Sequence, residues 1–190
     1  MRPLCTYSVV AALATGLLAA CNTSTLPPPS TTNVVDTITL YALHGTSLIT
    51  PSGYALTGPQ VVQTPLSPGF DFAFDIDSTG KAVLLPLGAL VPLSQDSLNN
   101  PGLESTTTPF ANVTIAPTGG YELTQPLPIT AGSVVLIQSA AQICPDGLTA
   151  SLFAKLGVLA ISDSARTIQF QILVDENCGY LGLAPGLPTQ

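Results

Sequence analysis

The chain has 190 residues, 46% of them apolar and only 8% charged, and its 11 carboxylates against four Lys and Arg give a net charge of −7. An acidic chain without a basic cluster excludes nucleic acid as a partner, because phosphate contacts require grouped Lys and Arg. The apolar content argues against wholesale disorder, and scarce charge alongside 16 Gly and 18 Pro fits short strands and turns better than charge-laced helices.

One cation, Arg2, precedes an apolar run from Val9 to Ala20 that is broken only by Thr15 and Gly16. This is the order of a secretory signal, and the run is shorter than the ~20 residues that span a bilayer comfortably. A cleaved signal, a cleaved and lipidated signal and an uncleaved membrane helix compete, and the residues at the cut decide between them. Ordinary cleavage requires small residues one and three positions before the cut. Leu18-Ala19-Ala20 places a bulky leucine at the third. Leu18-Ala19-Ala20-Cys21 instead resembles the lipobox of bacterial lipoproteins, a likeness confined to the first 21 residues. The resemblance implies that the Cys21 thiol receives a diacylglycerol, that residues 1–20 are removed as a signal peptide, and that the new amino group is acylated too. Two or three acyl chains at ~0.8 kcal/mol per buried methylene hold a protein stably on a bilayer, whereas one binds marginally. The implied partner is a membrane reached through lipid alone. Asn22, standing where some inner-membrane lipoproteins carry aspartate, points to the outer membrane of the cell envelope in a host that has one.

Residues 22–35 are polar and include the run Pro27 to Pro29. Such a tether is expected to remain unpacked and extended, roughly 3 Å per residue, and to hold a single domain, residues 36–190, off the membrane. Cys5 leaves with the signal and Cys21 is acylated, so Cys144 and Cys178 remain. In an exported chain an even remainder reads as one disulfide. A metal or nucleophile role is the sharper alternative, but no second ligand pair with zinc spacing exists and His44 is the single histidine.

From Asp36 onward the pattern is one of short alternating runs broken by Gly and Pro. Ile38, Leu40 and Ala42 alternate with Thr37, Thr39 and Tyr41, a half-buried strand. One or two short strands are predicted around Gly58-Pro59. Phe70, Phe72, Phe74 and Ile76 are expected on one face of the next strand, with Asp71, Ala73, Asp75 and Asp77 on the solvent face. Residues 78–81 read as a turn and 82–87 as the returning strand, whose Pro86 marks an edge or an end. Residues 93–108 read as a polar loop around Asn99-Asn100-Pro101-Gly102. Strands are predicted at 111–116, 121–124, 134–139 and 167–175. The segment 151–161 is ambiguous, because Leu152, Leu156 and Leu159 also fall at helical spacing. A hairpin across 162–165 is preferred: Gly157 weakens a helix, and antiparallel pairing brings Cys144 and Cys178 together at its open end. The expected fold is all-β, an antiparallel β-sandwich or small β-barrel with one disulfide.

No catalytic constellation is legible. Asp75-Ile76-Asp77-Ser78-Thr79-Gly80 has the alternating oxygens of a calcium loop's start, but no third loop acid and no closing glutamate follow. His44 reads as a surface or hydrogen-bonded histidine, and Asp175-Glu176 as a turn at a strand end. Asn22-Thr23-Ser24 and Asn112-Val113-Thr114 match glycosylation triplets, which a bacterial host leaves unused. Nucleotide, zincin and serine-hydrolase signatures are missing from the sequence, so no catalytic residue, metal or cofactor is assigned. The expectation is a lipid-anchored envelope domain acting as a binding or structural module for a protein or glycan partner. The alternative is an envelope hydrolase directed at carbohydrate through an acid pair.

Overall fold

Strands β1 (Val35–Tyr41), β6 (Gly102–Thr106), β8 (Val134–Gln138), β11 (Phe153–Ser162) and β12 (Thr167–Asp175) form one antiparallel sheet in the order β1-β12-β11-β8-β6. A second five-stranded sheet runs β3-β2-β4-β5-β7, built from β2 (Gly53–Ala55), β3 (Gln60–Val62), β4 (Phe72–Ile76), β5 (Ala82–Pro86) and β7 (Leu127–Pro128). A small hairpin of β9 (Gln142–Ile143) and β10 (Thr149–Ala150) completes the β-sandwich. This computed structural model describes residues 26–65, 69–92, 100–145 and 147–189.

Side-chain alternation explains the central core. Ile168, Phe170, Ile172 and Val174 of β12 and Ala154, Leu156 and Val158 of β11 face Phe72, Phe74 and Ile76 of β4 and Leu84 of β5. Phe170 sits 6.3 Å from Tyr54 and 6.1 Å from Phe72, ring centre to ring centre. Each such ring contributes on the order of 1.5–3 kcal/mol by leaving water.

The hairpin reading of 151–175 holds. A bulge between Val158 and Ala160 falls at Leu159, which is 46% exposed while Leu152 and Leu156 are buried. Leu159 is outward by strand parity as well, so the three leucines share no buried face and their helical spacing is accidental. Gly157 has a packing role: a Cβ there would lie 3.0 Å from both the Phe110 ring and the Gln171 amide. Cys144 and Cys178 are joined as a disulfide, Cα atoms 5.9 Å apart, which ties the β9–β10 hairpin to the chain just beyond β12.

Five expectations need correction. The central parts of the outer faces of both sheets are covered, not solvated. Phe153, Leu136 and Leu173 lie under Val113, Ala116 and Leu183, while Ala73, Val83 and Leu85 pack with Phe70 and Val62. Phe70 therefore packs on the opposite side from Phe72; it precedes β4, and strand parity does not apply to it. Residues 111–116 are not a strand but a 3₁₀ turn (Phe110–Asn112) and an extended cover, bonded to 181–183 and held down by Lys155. The Lys155 ammonium donates to the carbonyls of Phe110 (2.9 Å) and Val113 (2.8 Å) and sits 4.5 Å from the Phe110 ring centre. Burial pushes its pKa down. Residues 121–124 make only an isolated bridge, Glu122 to Leu103. Conversely β6 lies inside the expected polar loop, because pairing with β8 orders a segment whose one large apolar residue is Leu103.

The tether is the fifth correction. From residue 26 it is packed against the domain, because its backbone groups find partners there. The Ser30 and Thr31 amides donate to the Asn177 side-chain oxygen at 2.8 and 2.9 Å, and Asn33 exchanges backbone bonds with Gly186. Tyr180 donates its hydroxyl to the Pro27 carbonyl at 2.8 Å. Buried polar pairing of this kind offsets the entropy of fixing a proline-stiffened segment, which is small to begin with.

Candidate functional site

The acids of β4 do not line a solvent face. Asp71 and Asp75 are buried, and each is satisfied by groups the loops supply. Asp71 accepts the Leu56 amide at 2.6 Å and the Ala140 amide, so it joins one sheet to the other at the hairpin end of the sandwich. Burial outweighs those bonds and raises its pKa to about 6. Asp75 accepts the His44 backbone amide at 3.2 Å, its own neighbour Ile76 at 2.8 Å, and the His44 ring Nδ1 at 2.6 Å. Arg166 approaches it at 3.7 Å and spans to the carbonyls of His44 and Ile76. Asp77 is the turn residue expected: its Oδ1 accepts the amides of Thr79 and Lys81 and the Thr79 hydroxyl. Those bonds hold its pKa below the usual carboxylate range. The calcium-loop pattern is thus spent on turn formation.

His44 has an oriented ring whose side chain is 76% exposed. A carboxylate holding Nδ1 is the orienting half of a nucleophile-activating arrangement. Among the described residues no hydroxyl or thiol is hydrogen-bonded to the ring, and no cluster of three or more potential ligands for a metal occurs. The pair's role is to tie the segment after β1 to β4 and to the turn before β12. Asp75→Asn is expected to cost ~2 kcal/mol in urea unfolding, because the Arg166 guanidinium and the His44 amide lose a buried anion. His44→Ala, at an exposed ring, should cost less than ~1 kcal/mol. Equal losses would disprove this division of roles.

Asp175 ends β12 fully buried, with its Oδ1 accepting the Asn177 amide (2.9 Å) and side chain (2.8 Å). Burial raises its pKa against the lowering effect of Asn177 and Asn33. Its neighbour Glu176 is exposed and stands between two openings along the N-terminal segment. One, of about 320 Å³, lies beside the disulfide between Pro27, Ser30, Cys144 and Tyr180. The other, of about 400 Å³, opens at the β1 edge between the sheets and is walled by Val34, Asp36, Tyr54, Pro59, Val174 and Glu176.

The larger cleft has a simple chemistry. Tyr54 belongs to the aromatic core and also reaches the cleft wall. Burial first, then the carboxylates of Asp36 and Glu176, push its pKa up to about 12. Tyr54 itself is buried, so the cleft offers a ligand chiefly the exposed carboxylates of Asp36 and Glu176 beside the apolar side chains of Val34, Pro59 and Val174. Such a cleft can hydrogen-bond a hydroxyl-rich ligand or receive a cationic one. Sequence patterning did not single out Tyr54 or Asp36. Tyr54 reads as one aromatic in a short strand, and only the approach of β1 to β2 brings it near Asp36.

Asn112-Val113-Thr114 lies in the cover over β11, with Val113 buried. Cys21, the Leu18-Ala19-Ala20 residues before it and the Asn22-Thr23-Ser24 triplet lie outside the described residues. No helix among the described residues is long and apolar enough to cross a membrane. Comparison with protein-family models, curated proteins and solved structures gives no match for this chain.

Proposed function

We propose that this chain is a lipid-anchored module of the cell envelope, outer-membrane where the host has one, that binds a glycan or peptide ligand in the Tyr54 cleft. The observation that carries it is an open cleft of about 400 Å³ lined by the exposed Asp36 and Glu176 carboxylates and by Val34, Pro59 and Val174, with the buried Tyr54 in its wall. Support for binding over catalysis comes from burial. The two carboxyl groups with raised pKa, Asp71 and Asp175, are 8% and 0% exposed and line neither opening, so they are placed for structure rather than for proton transfer to a substrate.

A second reading has its own observation: Asp36 and Glu176 share one cleft, and glycoside hydrolysis requires two carboxyl groups flanking a sugar. Glycan and peptide arrays with the wild-type protein, followed by Tyr54→Phe and Glu176→Gln, separate the readings. Ligand retention lost in both variants, with no turnover by the wild type, is the expected result. Turnover of a glycoside abolished by Glu176→Gln would replace binding with hydrolysis. For the anchor, the intact mass of protein from membranes should begin at Cys21 and carry acyl groups. An unmodified species cut elsewhere, or a Cys21→Ser variant that still fractionates with membranes, would refute it.

A further inference from the structure

We propose that the disulfide-stapled β9–β10 hairpin is the membrane-facing end of the domain, with Ile143 and Leu148 seated in the headgroup region of a bilayer. The inference rests on lipidation of Cys21 and adds to it an orientation. Chain length supplies the first constraint. Leu26 packs at the hairpin end, since a Cβ on Gly179 would lie 2.9 Å from its Cδ2 and 3.6 Å from the Cβ of Ala150 in β10. Five residue steps separate Cys21 from Leu26. Fully extended they span at most about 18 Å, so an acylated Cys21 keeps this end of the sandwich next to the bilayer. The unpacked spacer of a few nanometres that the prolines suggest is not there to separate them, because residues 27–33 are bonded to 177–186.

Surface chemistry supplies the second constraint. Ile143 is 81% exposed and Leu148 43%, on a hairpin whose position beside Leu26 the Cys144–Cys178 bond secures. Apolar side chains on a surface tethered this closely gain by entering the headgroup and acyl boundary, about 5–10 Å deep. Residues 140–151 contain one charged residue, Asp146, and no cation, which suits zwitterionic lipid better than anionic lipid. The exposed pair Leu48 and Ile49 belongs to the loop that follows β1, beyond the strand's other end from the anchor. Seven residues of strand, roughly 23 Å, separate that loop from the N-terminal segment.

The chain contains no tryptophan, so a single one reports its own surroundings. Lipidated Ile143→Trp and Leu48→Trp proteins, both altered at exposed positions, are reconstituted into phosphatidylcholine vesicles and floated on a density gradient. The expected result is that both float, that Ile143→Trp emission shifts to the blue and is quenched by brominated lipid, and that Leu48→Trp emission does neither. Protein that floats with an unquenched Trp at 143 overturns the orientation while leaving the anchor intact. Protein that does not float overturns the anchor, and the orientation with it. Vesicles containing phosphatidylglycerol should not strengthen the quenching at 143, because residues 140–151 contain no cation to attract anionic lipid; stronger quenching there would overturn the choice of zwitterionic lipid.

Discussion

Replacing Cys144 and Cys178 with serine is expected to destabilise the domain by ~4 kcal/mol and to lower its midpoint of thermal unfolding by on the order of 10 °C. The bond closes a loop with a sequence separation of 34, and in the unfolded chain that closure removes conformational freedom the variant regains. The folded state contributes too. Cys144 is buried, and its backbone carries the turn of the β9–β10 hairpin, which among the described residues also meets the domain through the Gln142 side chain to Thr57 and the packing of Ala150 near Gly179. Without the bond this hairpin should undock before the sandwich melts. Differential scanning calorimetry of the oxidised, reduced and double-serine proteins checks the magnitude, and hydrogen exchange checks the locality. A melting temperature unchanged by reduction would show that the hairpin is held by packing alone.

A pH effect of comparable size is expected from Asp71. Its pKa rises from 3.8 to about 6 on folding, so between those values the folded protein binds more protons than the unfolded chain. Stability contributed by this group is therefore full below pH 3.8, falls as pH rises through that window, and is flat above about 6. Two units correspond to ~3 kcal/mol. Asp175 acts in the same direction, while Asp77 and Glu122, whose pKa values are lowered, act in the opposite one. The clean quantity is the difference between wild type and Asp71→Asn, in which an amide oxygen still accepts the Leu56 amide. Relative to that variant, the wild type should lose ~3 kcal/mol between the acid and neutral limits of the window, measured by urea unfolding. Parallel stability curves for the two proteins would mean that Asp71 keeps an ordinary pKa despite its burial. The wild type therefore carries its charged, desolvated Asp71 at neutral pH at a cost, in exchange for a carboxylate that bonds the loops of both sheets.

The two openings beside Glu176 depend on the same packed N-terminal segment that limits the reach of Cys21. The proposed ligand binding and the proposed membrane orientation would thus both act through the docking of residues 27–34. Asn177 is the residue that joins them, accepting from Ser30 and Thr31 and donating to the Thr31 carbonyl and to Asp175.

Local alternation determined most of the strand inventory. The period of two in β12, the apolar triad of β4 and the turn at 162–165 follow from the chain's own pattern, because one face of each strand must leave water whatever its neighbours are. The disulfide was legible for the same reason: antiparallel pairing of β11 with β12 leaves two cysteines at one end of the hairpin. Tertiary structure alone decided what covers the outer faces. Asp75 is buried because His44 and Arg166 arrive from distant segments, and Asp71 because the 56 and 140 loops meet over it; neither encounter leaves a mark within the strand. The order of residues 26–34 was likewise hidden, since a polar, proline-rich run carries no apolar pattern and gains its partners from distant residues, among them Asn177, Tyr180, Gly182 and Gly186. Short-range hydrophobic periodicity reports which side of a strand is apolar, but a buried polar group is defined by its partners, and those are supplied by the fold.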